Sequence, residues 1–175
     1  MTTHNPEYCY DEAIEDESVA RATKGSYGCR SVLQVKMDEF GVGDSSFNTQ
    51  DCYNCIGLAA IGPELGLIGH FERISDDFPT FQPVFNNALR ALAFVQPRLI
   101  VLVGGRADYG IMPSDKISLA DRTFAADALS KFVQEDPNSP ELRVRWNTQQ
   151  YECVDLLVYT EEKLIIATHY IADEE

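Results

Sequence analysis

Residues 55–70 read CIGLAAIGPELGLIGH, and they indicate the fold more clearly than any other stretch of this chain. Two runs of small and branched apolar residues, 55–61 and 65–71, flank Gly62-Pro63, a dipeptide typical of turns. Apolar runs of this length between turn signals indicate buried strands. The stretch is therefore predicted to form a β-hairpin.

Outward from this hairpin, the sequence predicts more strands and two helices. Apolar residues recur near every 3.6 positions in 83–96, which starts with Pro83, and again in 119–134. Residues 41–46 contain glycine and serine and are predicted to form a loop. Further strands are predicted at 31–37, 99–103, 142–146, 151–159 and 164–171. Strands outnumber helices without alternating with them, so the predicted class is α+β: a mixed β-sheet sandwich flanked by helices.

The length of 175 residues suits one domain. Residues 1–27 are predicted to be an acidic and flexible lead-in, in which 11–20 has the composition of a short helix. Residues 28–175 are predicted to form a single domain of catalytic type.

The charge and cysteine content limit the classes of partner and compartment. A net charge of -14 disfavours nucleic acid and anionic membranes, because both carry phosphates. Residues 1–7 lack the features of a Sec signal, and five cysteines are an odd number that favours reduced thiols. These features predict a chain that works in the cytoplasm, or that is delivered into a target cell without a Sec signal, and we expect a monomer.

Cys55 and His70 are the leading candidates for catalysis. A four-residue turn at 61–64 would pair Ala60 with Leu65 and Cys55 with His70, at a Cβ separation of about 4.5–5.5 Å. An imidazole can then take the thiol proton, stabilise the thiolate and protonate a departing amine. Thr49 has a hydroxyl that can orient the ring, as a third group does in catalytic triads. Another turn would change the register, and a buried cysteine beside a histidine is also compatible with a purely structural core.

The same residues carry a resemblance to a known superfamily. The stretch resembles the chemoreceptor glutamine deamidases of bacterial chemotaxis, the catalytic domain of cytotoxic necrotizing factor toxins, and related lethal-factor deamidases. A cysteine begins one strand, and a histidine lies near the end of the next at an interval similar to that of the toxins. Thr49 lies six residues before Cys55, and Phe71 follows His70, as in the chemotaxis members. The resemblance extends to Gly104-Gly105, paired glycines that end a strand after a helix.

The sequence departs from these families at two points. Tyr53-Asn54-Cys55 replaces the usual Gly-Ser-Cys, and the terminal Gly-Gly-x-x-Gly-Arg signature is missing, so a divergent or toxin-like member fits best. The resemblance implies that Cys55 attacks a glutamine carboxamide of a partner protein and that His70 and Thr49 assist it. It implies neither a cofactor nor a metal. A non-catalytic module of the same fold and a transglutaminase are the alternatives.

Two other cysteine arrangements compete with this pair. Cys52 and Cys55 form C-x-x-C, a spacing used in zinc and redox sites, although a second ligand pair is missing. A different register would also make Cys52 the nucleophile. In the last hairpin, a three-residue turn at 160–162 would pair Cys153 with His169 and place Asp155 on the same face.

Overall fold

The predicted hairpin is present at the centre of a sheet in the computed structural model, which describes residues 7–14, 32–105, 113–149 and 151–172. The described residues form ten strands and two helices. The strands are β1 Cys9–Ile14, β2 Val32–Gln34, β3 Glu39–Gly43, β4 Ser46–Thr49, β5 Ile56–Ile61, β6 Gly66–Phe71, β7 Leu99–Gly104, β8 Glu141–Trp146, β9 Glu152–Tyr159 and β10 Leu164–Ile171. The helices are α1 Gln82–Val95 and α2 Pro113–Glu135.

The ten strands form two mixed sheets of five strands each. The first sheet has the order β1-β10-β9-β4-β2, with parallel pairs at β1/β10 and β2/β4. The second has the order β3-β6-β5-β7-β8, with one parallel pair at β7/β8. This confirms the predicted α+β class with a mixed sandwich.

Two apolar layers hold the sandwich and its helices together. One layer lies between the sheets, where Ala59, Ile68 and Val101 of the second sheet pack with Leu156 and Ala167 of the first. The other layer lies between the second sheet and the two helices. Strands buried on both faces read as continuous apolar runs, which is why β5, β6 and β7 show no polar alternation.

The helices follow from their sequences. Pro83 lies in the first turn of α1, where its missing N–H costs nothing, and α1 ends at Val95 before a left-handed Gln96 and Pro97. The buried residues of α1 are Phe85, Ala88, Leu92 and Val95. The second predicted helix begins six residues earlier than expected, at Pro113 rather than 119.

Three predicted elements differ from the structure. Residues 11–14 belong to β1 rather than to a helix, so this part of the lead-in is an edge strand of the sandwich, and 15–20 lies outside the described residues. The predicted loop at 41–46 was also wrong, because most of it belongs to β3 and β4. The strand predicted at 31–37 is confined to Val32–Gln34. Neither of the described helices is long and apolar enough to cross a membrane.

Candidate active site

The register of the β5–β6 hairpin differs by two residues from the predicted one. His70 lies opposite Gly57, and Ile61 lies opposite Gly66, so the direct pairing of Cys55 with His70 was wrong. Cys55 immediately precedes β5 and is two residues before Gly57, the spacing at which strand residues share a face. Extending the register makes Cys55 and His70 diagonal neighbours, a relation with a typical separation of about 7–8 Å.

A tertiary contact explains the shift. The turn spans 62–65 and is closed by a hydrogen bond of 2.8 Å from Gly62 N–H to the Leu65 carbonyl. A Cβ atom at Gly62 would overlap the carbonyl oxygen of Val95, so the end of α1 packs directly on the turn backbone. Local sequence does not reveal this contact, and the turn therefore falls one residue later than predicted.

Thr49 and His70 form a hydrogen bond inside the sandwich. Thr49 Oγ1 lies 2.9 Å from His70 Nδ1 and 2.8 Å from the carbonyl oxygen of Val35, to which it donates. A hydroxyl has one proton, so Thr49 must accept from the ring, and Nδ1 carries the ring proton. In the neutral imidazole, Nε2 then holds the free lone pair, which is the arrangement that a general base requires.

The environment of His70 keeps the ring neutral. The side chain is buried, with 5% of the residue exposed, and burial lowers the pKa of His70 to about 4, although Asp51 opposes the shift. Nε2 is buried and has no hydrogen-bond partner among the described residues. Cys55 and His70 therefore share no hydrogen bond in this structure.

Two glycines fix the main chain of Cys55. Gly105 N–H donates a hydrogen bond of 2.8 Å to the Cys55 carbonyl. A Cβ atom at Gly104 would overlap the same carbonyl oxygen, and both glycines have positive φ angles, +86° and +59°. The paired glycines at the end of β7 thus allow this strand end to lie against Cys55.

Two polar residues that the sequence analysis missed hold the segment before Cys55. Asn147 Nδ2 lies 3.0 Å from the carbonyl oxygens of both Cys52 and Tyr53. Ser118 Oγ of α2 donates a hydrogen bond of 2.9 Å to the Asn54 carbonyl. These contacts give the Tyr-Asn-Cys lead-in a defined backbone. A single Asn and a single Ser belong to no motif, so no sequence signal identifies them.

The thiol of Cys55 lies in a largely apolar and acidic environment. Cys55 is 8% exposed, and burial raises the pKa of its thiol to about 12. The carboxylates of Glu72, Asp38 and Asp121 add to this rise in pKa. The thiol donates to Met37 Sδ at 3.5 Å. The free protein therefore holds a neutral thiol rather than a thiolate–imidazolium pair at neutral pH.

Replacing Met37 with Ala is expected to increase several-fold the rate at which iodoacetamide alkylates Cys55 at alkaline pH. Met37 contacts the thiol and is itself 50% exposed, so its removal opens a path from solvent to the sulfur. Peptide mapping by mass spectrometry measures alkylation at each cysteine. Leu33→Ala is the matched control, because Leu33 is 55% exposed on nearby β2. Equal rates in both variants would show that Met37 does not cover Cys55.

Cys52 is a core residue and forms no disulfide with Cys55. Its side chain is fully buried between the sheets, and burial raises the pKa of its thiol well above the usual value. Both thiols are free, and no group of three potential metal-ligating His, Cys, Asp or Glu residues occurs in the described part of the chain. A Cβ atom at Gly57 would lie 3.1 Å from Cys52 Sγ, so Cys52 fills core space above Gly57.

The second predicted pair, Cys153 and His169, is excluded by register. Cys153 lies opposite Tyr170, and His169 lies opposite Val154, one residue away from the predicted pairing. A one-residue change moves side chains to opposite faces of a sheet. The turn is longer than predicted, because Lys163 adopts a positive φ of 55° and belongs to it.

His169 is itself buried and takes part in a partly exposed network of charged side chains. Its Nε2 lies 2.9 Å from Glu12 Oε1 and its Nδ1 lies 3.2 Å from Glu152 Oε1. Arg145 reaches the same two carboxylates, each at 2.9 Å. Asp155 lies on the face of the sheet opposite to His169, and it accepts a hydrogen bond from Asp51 N–H. The network ties β1, β8, β9 and β10 together.

Asp121 of α2 organises the loop after β6. Its carboxylate accepts hydrogen bonds from the backbone N–H groups of Arg73 at 2.8 Å, Ile74 at 2.9 Å and Ser75 at 3.2 Å. Asp121 is fully buried, and burial raises its pKa against the effect of these hydrogen bonds. A single Asp in a helix belongs to no motif, so the local sequence carries no signal for this role.

Comparison with known proteins adds no family assignment. No family model and no curated protein sequence matches this chain. The resemblance to glutamine deamidases therefore depends only on the motif residues of this chain that carry it. The structure brings Thr49 into contact with His70 and places Cys55 on the neighbouring strand end.

Proposed function

We propose that this protein hydrolyses the side-chain amide of a glutamine in a partner protein and releases ammonia. The observation that carries the proposal is the pair of hydrogen bonds made by Thr49 Oγ1 to Val35 and His70. These bonds place the ring proton on Nδ1 and leave a free lone pair on Nε2, and the neighbouring strand end carries a cysteine whose carbonyl is held by a backbone hydrogen bond.

The proposed reaction has two steps and consumes water. Cys55 Sγ attacks the carboxamide carbon while its proton passes to His70 Nε2. The carbon–nitrogen bond then breaks, and the nitrogen leaves as ammonia with the proton from Nε2. Water gives a proton to Nε2 and attacks the thioester, which releases glutamate and restores the thiol. Main-chain N–H groups near Cys55 would hold the oxyanion.

The pKa shifts define how the proton moves. Because the pKa of Cys55 is raised and that of His70 is lowered, both groups are neutral in the free protein at neutral pH. Proton transfer would therefore accompany attack, and the histidine would act as a general base instead of stabilising a preformed thiolate. Turnover, rather than alkylation of the resting thiol, is the appropriate test.

A pool of short peptides, each containing one glutamine in a different flanking sequence, provides that test. Wild-type protein is expected to convert some of these glutamines to glutamate, with matching release of ammonia. Cys55→Ser is expected to abolish conversion, because a neutral hydroxyl is a much weaker nucleophile than a thiol. Mass spectrometry measures the conversion. Cys9→Ser is the matched control, since Cys9 is an exposed cysteine of β1.

Two outcomes would contradict the proposal: turnover in Cys55→Ser equal to that of wild type, or no conversion by wild type. The second outcome would favour a non-catalytic protein-binding module. One observation favours that alternative: Cys55 is only 8% exposed. Addition of a primary amine tests the transglutaminase alternative, in which an amide of that amine replaces glutamate as the product.

A further inference from the structure

A groove with a volume of about 460 Å³ lies between α2 and the loop that follows β6. Its apolar part consists of Leu119, Ala120 and Phe124, which α2 presents at neighbouring helical positions. Leu119 is 48% exposed, so a substantial apolar surface faces the groove opening. An apolar floor of this kind gains free energy when another apolar group covers it.

The rim of the groove is acidic. Asp76 and Asp77 contribute carboxylates from the loop, Asp127 contributes one from α2, and Lys116 is the basic residue of the lining. All four are exposed. Long basic side chains cover apolar surface with their methylene stems while the charged head reaches a polar rim. The groove therefore has the charge and shape to take a Lys or Arg side chain together with an apolar neighbour.

Carboxylates also lie along the segment between the groove wall and the candidate active site, where the exposed Arg73 interrupts them. Asp121 holds Ser75 of the groove wall by a backbone hydrogen bond of 3.2 Å, so the wall is fixed to α2. Glu72 precedes this wall by three residues, and its N–H donates to Asp38 Oδ1 at 3.2 Å. Glu72 and Asp38 are two of the carboxylates whose charge is felt at Cys55.

We propose that this groove binds a basic segment of the partner protein, with a Lys or Arg at the acidic rim and an apolar side chain on the α2 floor. This deepens the proposed function, on which it rests, because it selects glutamines that lie near basic residues. An acidic partner or a nucleic acid would be repelled by the rim. A second copy of this chain, with its charge of -14, would be repelled too.

Binding is tested with two fluorescein-labelled peptides and Cys55→Ser protein, which cannot turn them over. One peptide carries a glutamine between Lys-Leu pairs, and the other has Glu in place of Lys. Fluorescence anisotropy is expected to show binding of the basic peptide only, weakening as salt is added. Asp77→Asn with Asp127→Asn is expected to weaken binding about three- to tenfold, as loss of two exposed ion pairs should.

The matched control changes the same charge elsewhere. Asp44→Asn with Glu161→Gln removes two carboxylates from a depression near the Pro63 turn, at the opposite end of the hairpin. It is expected to leave binding unchanged. An equal loss in the control would show non-specific attraction and overturn the proposal, as would equal binding of the acidic peptide. Spermine binding as tightly as the basic peptide would assign the groove to small cations and overturn it as well.

The proposal for the groove and the proposal for the reaction can be contradicted independently. If the basic peptide binds through the groove but wild-type protein converts no glutamine, the proposed reaction is wrong and the binding site stands. If wild-type protein deamidates the acidic and basic peptides at equal rates, the reaction stands and the selective groove is wrong.

Discussion

Replacing His70 with Asn is expected to lower the rate of glutamine deamidation about 10²–10⁴-fold, the usual contribution of a positioned general base. The Asn amide nitrogen can still donate to Thr49 Oγ1, as Nδ1 does at 2.9 Å, but Asn has no group that can take the thiol proton. Ammonia release from glutamine peptides measures the rate. Retention of more than half of the wild-type rate would exclude His70 as the base.

The same variant has an effect on stability that does not depend on catalysis. Burial lowers the pKa of His70 from 6.5 to about 4, so between these values the unfolded chain binds more protons than the folded one. The free energy of unfolding must therefore fall as pH falls through this range, by about 3 kcal/mol in total from this residue. The His70→Asn protein is expected to lose that part of the pH dependence, as measured by urea denaturation at several pH values.

His169→Asn is the matched control for the deamidation rate. His169 is buried in the same sandwich, but its ring contacts Glu12 and Glu152 rather than Thr49. This variant is expected to keep its deamidation rate within a few-fold of wild type. A loss of rate as large as in His70→Asn would return the second hairpin to consideration.

The sequence predicts the strands of this fold better than their registers. Apolar runs identified β5, β6, β7 and β10 within one or two residues, since burial on both faces leaves a simple signal. Register depends on turns, and turns depend on contacts such as Gly62 against Val95. The two-residue shift at β5–β6 left His70 on its predicted face of the sheet. The one-residue shift at β9–β10 moved His169 to the opposite face from the predicted one.

The loop prediction was wrong at a glycine that allows close packing. Gly41 suggested a loop, yet it belongs to β3, where a Cβ atom would lie 3.1 Å from the ring of Phe47. A larger residue would crowd the Phe47 and Val35 side chains at this point. Close approach between distant strands leaves no mark in the local sequence, so glycines in turns and in such contacts look alike.

The candidate site likewise contains residues that the sequence predicts and residues that only the fold reveals. Thr49 was found by its spacing from Cys55, and the structure places it against His70. Asn147 and Ser118, which hold the segment before Cys55, come from β8–β9 and α2, more than sixty residues away in sequence. Such supports are single polar residues whose partners are backbone atoms, so only the folded chain reveals them.

Replacing Asp121 with Ala is expected to lower the free energy of unfolding by several kcal/mol. The change leaves the N–H groups of Ile74 and Ser75 buried without an acceptor, at a cost of about 1–3 kcal/mol each. Asp121→Asn should lose less, because Oδ1 accepts from both groups and remains. The exposed Asp127→Ala on the same helix should change stability by less than about 0.5 kcal/mol. Urea denaturation measures all three.

Asp121→Asn also tests an electrostatic effect on the Cys55 thiol. The carboxylate of Asp121 contributes to the raised pKa of Cys55, after burial, Glu72 and Asp38. Asn removes this charge while keeping most of the loop's hydrogen bonds, so alkylation of Cys55 should begin at lower pH than in wild type. The loop after β6 lines the groove beside α2, and Glu72 at its start is one of the carboxylates that act on the Cys55 thiol. An unchanged alkylation profile, with stability reduced as expected, would limit Asp121 to a structural role in that loop.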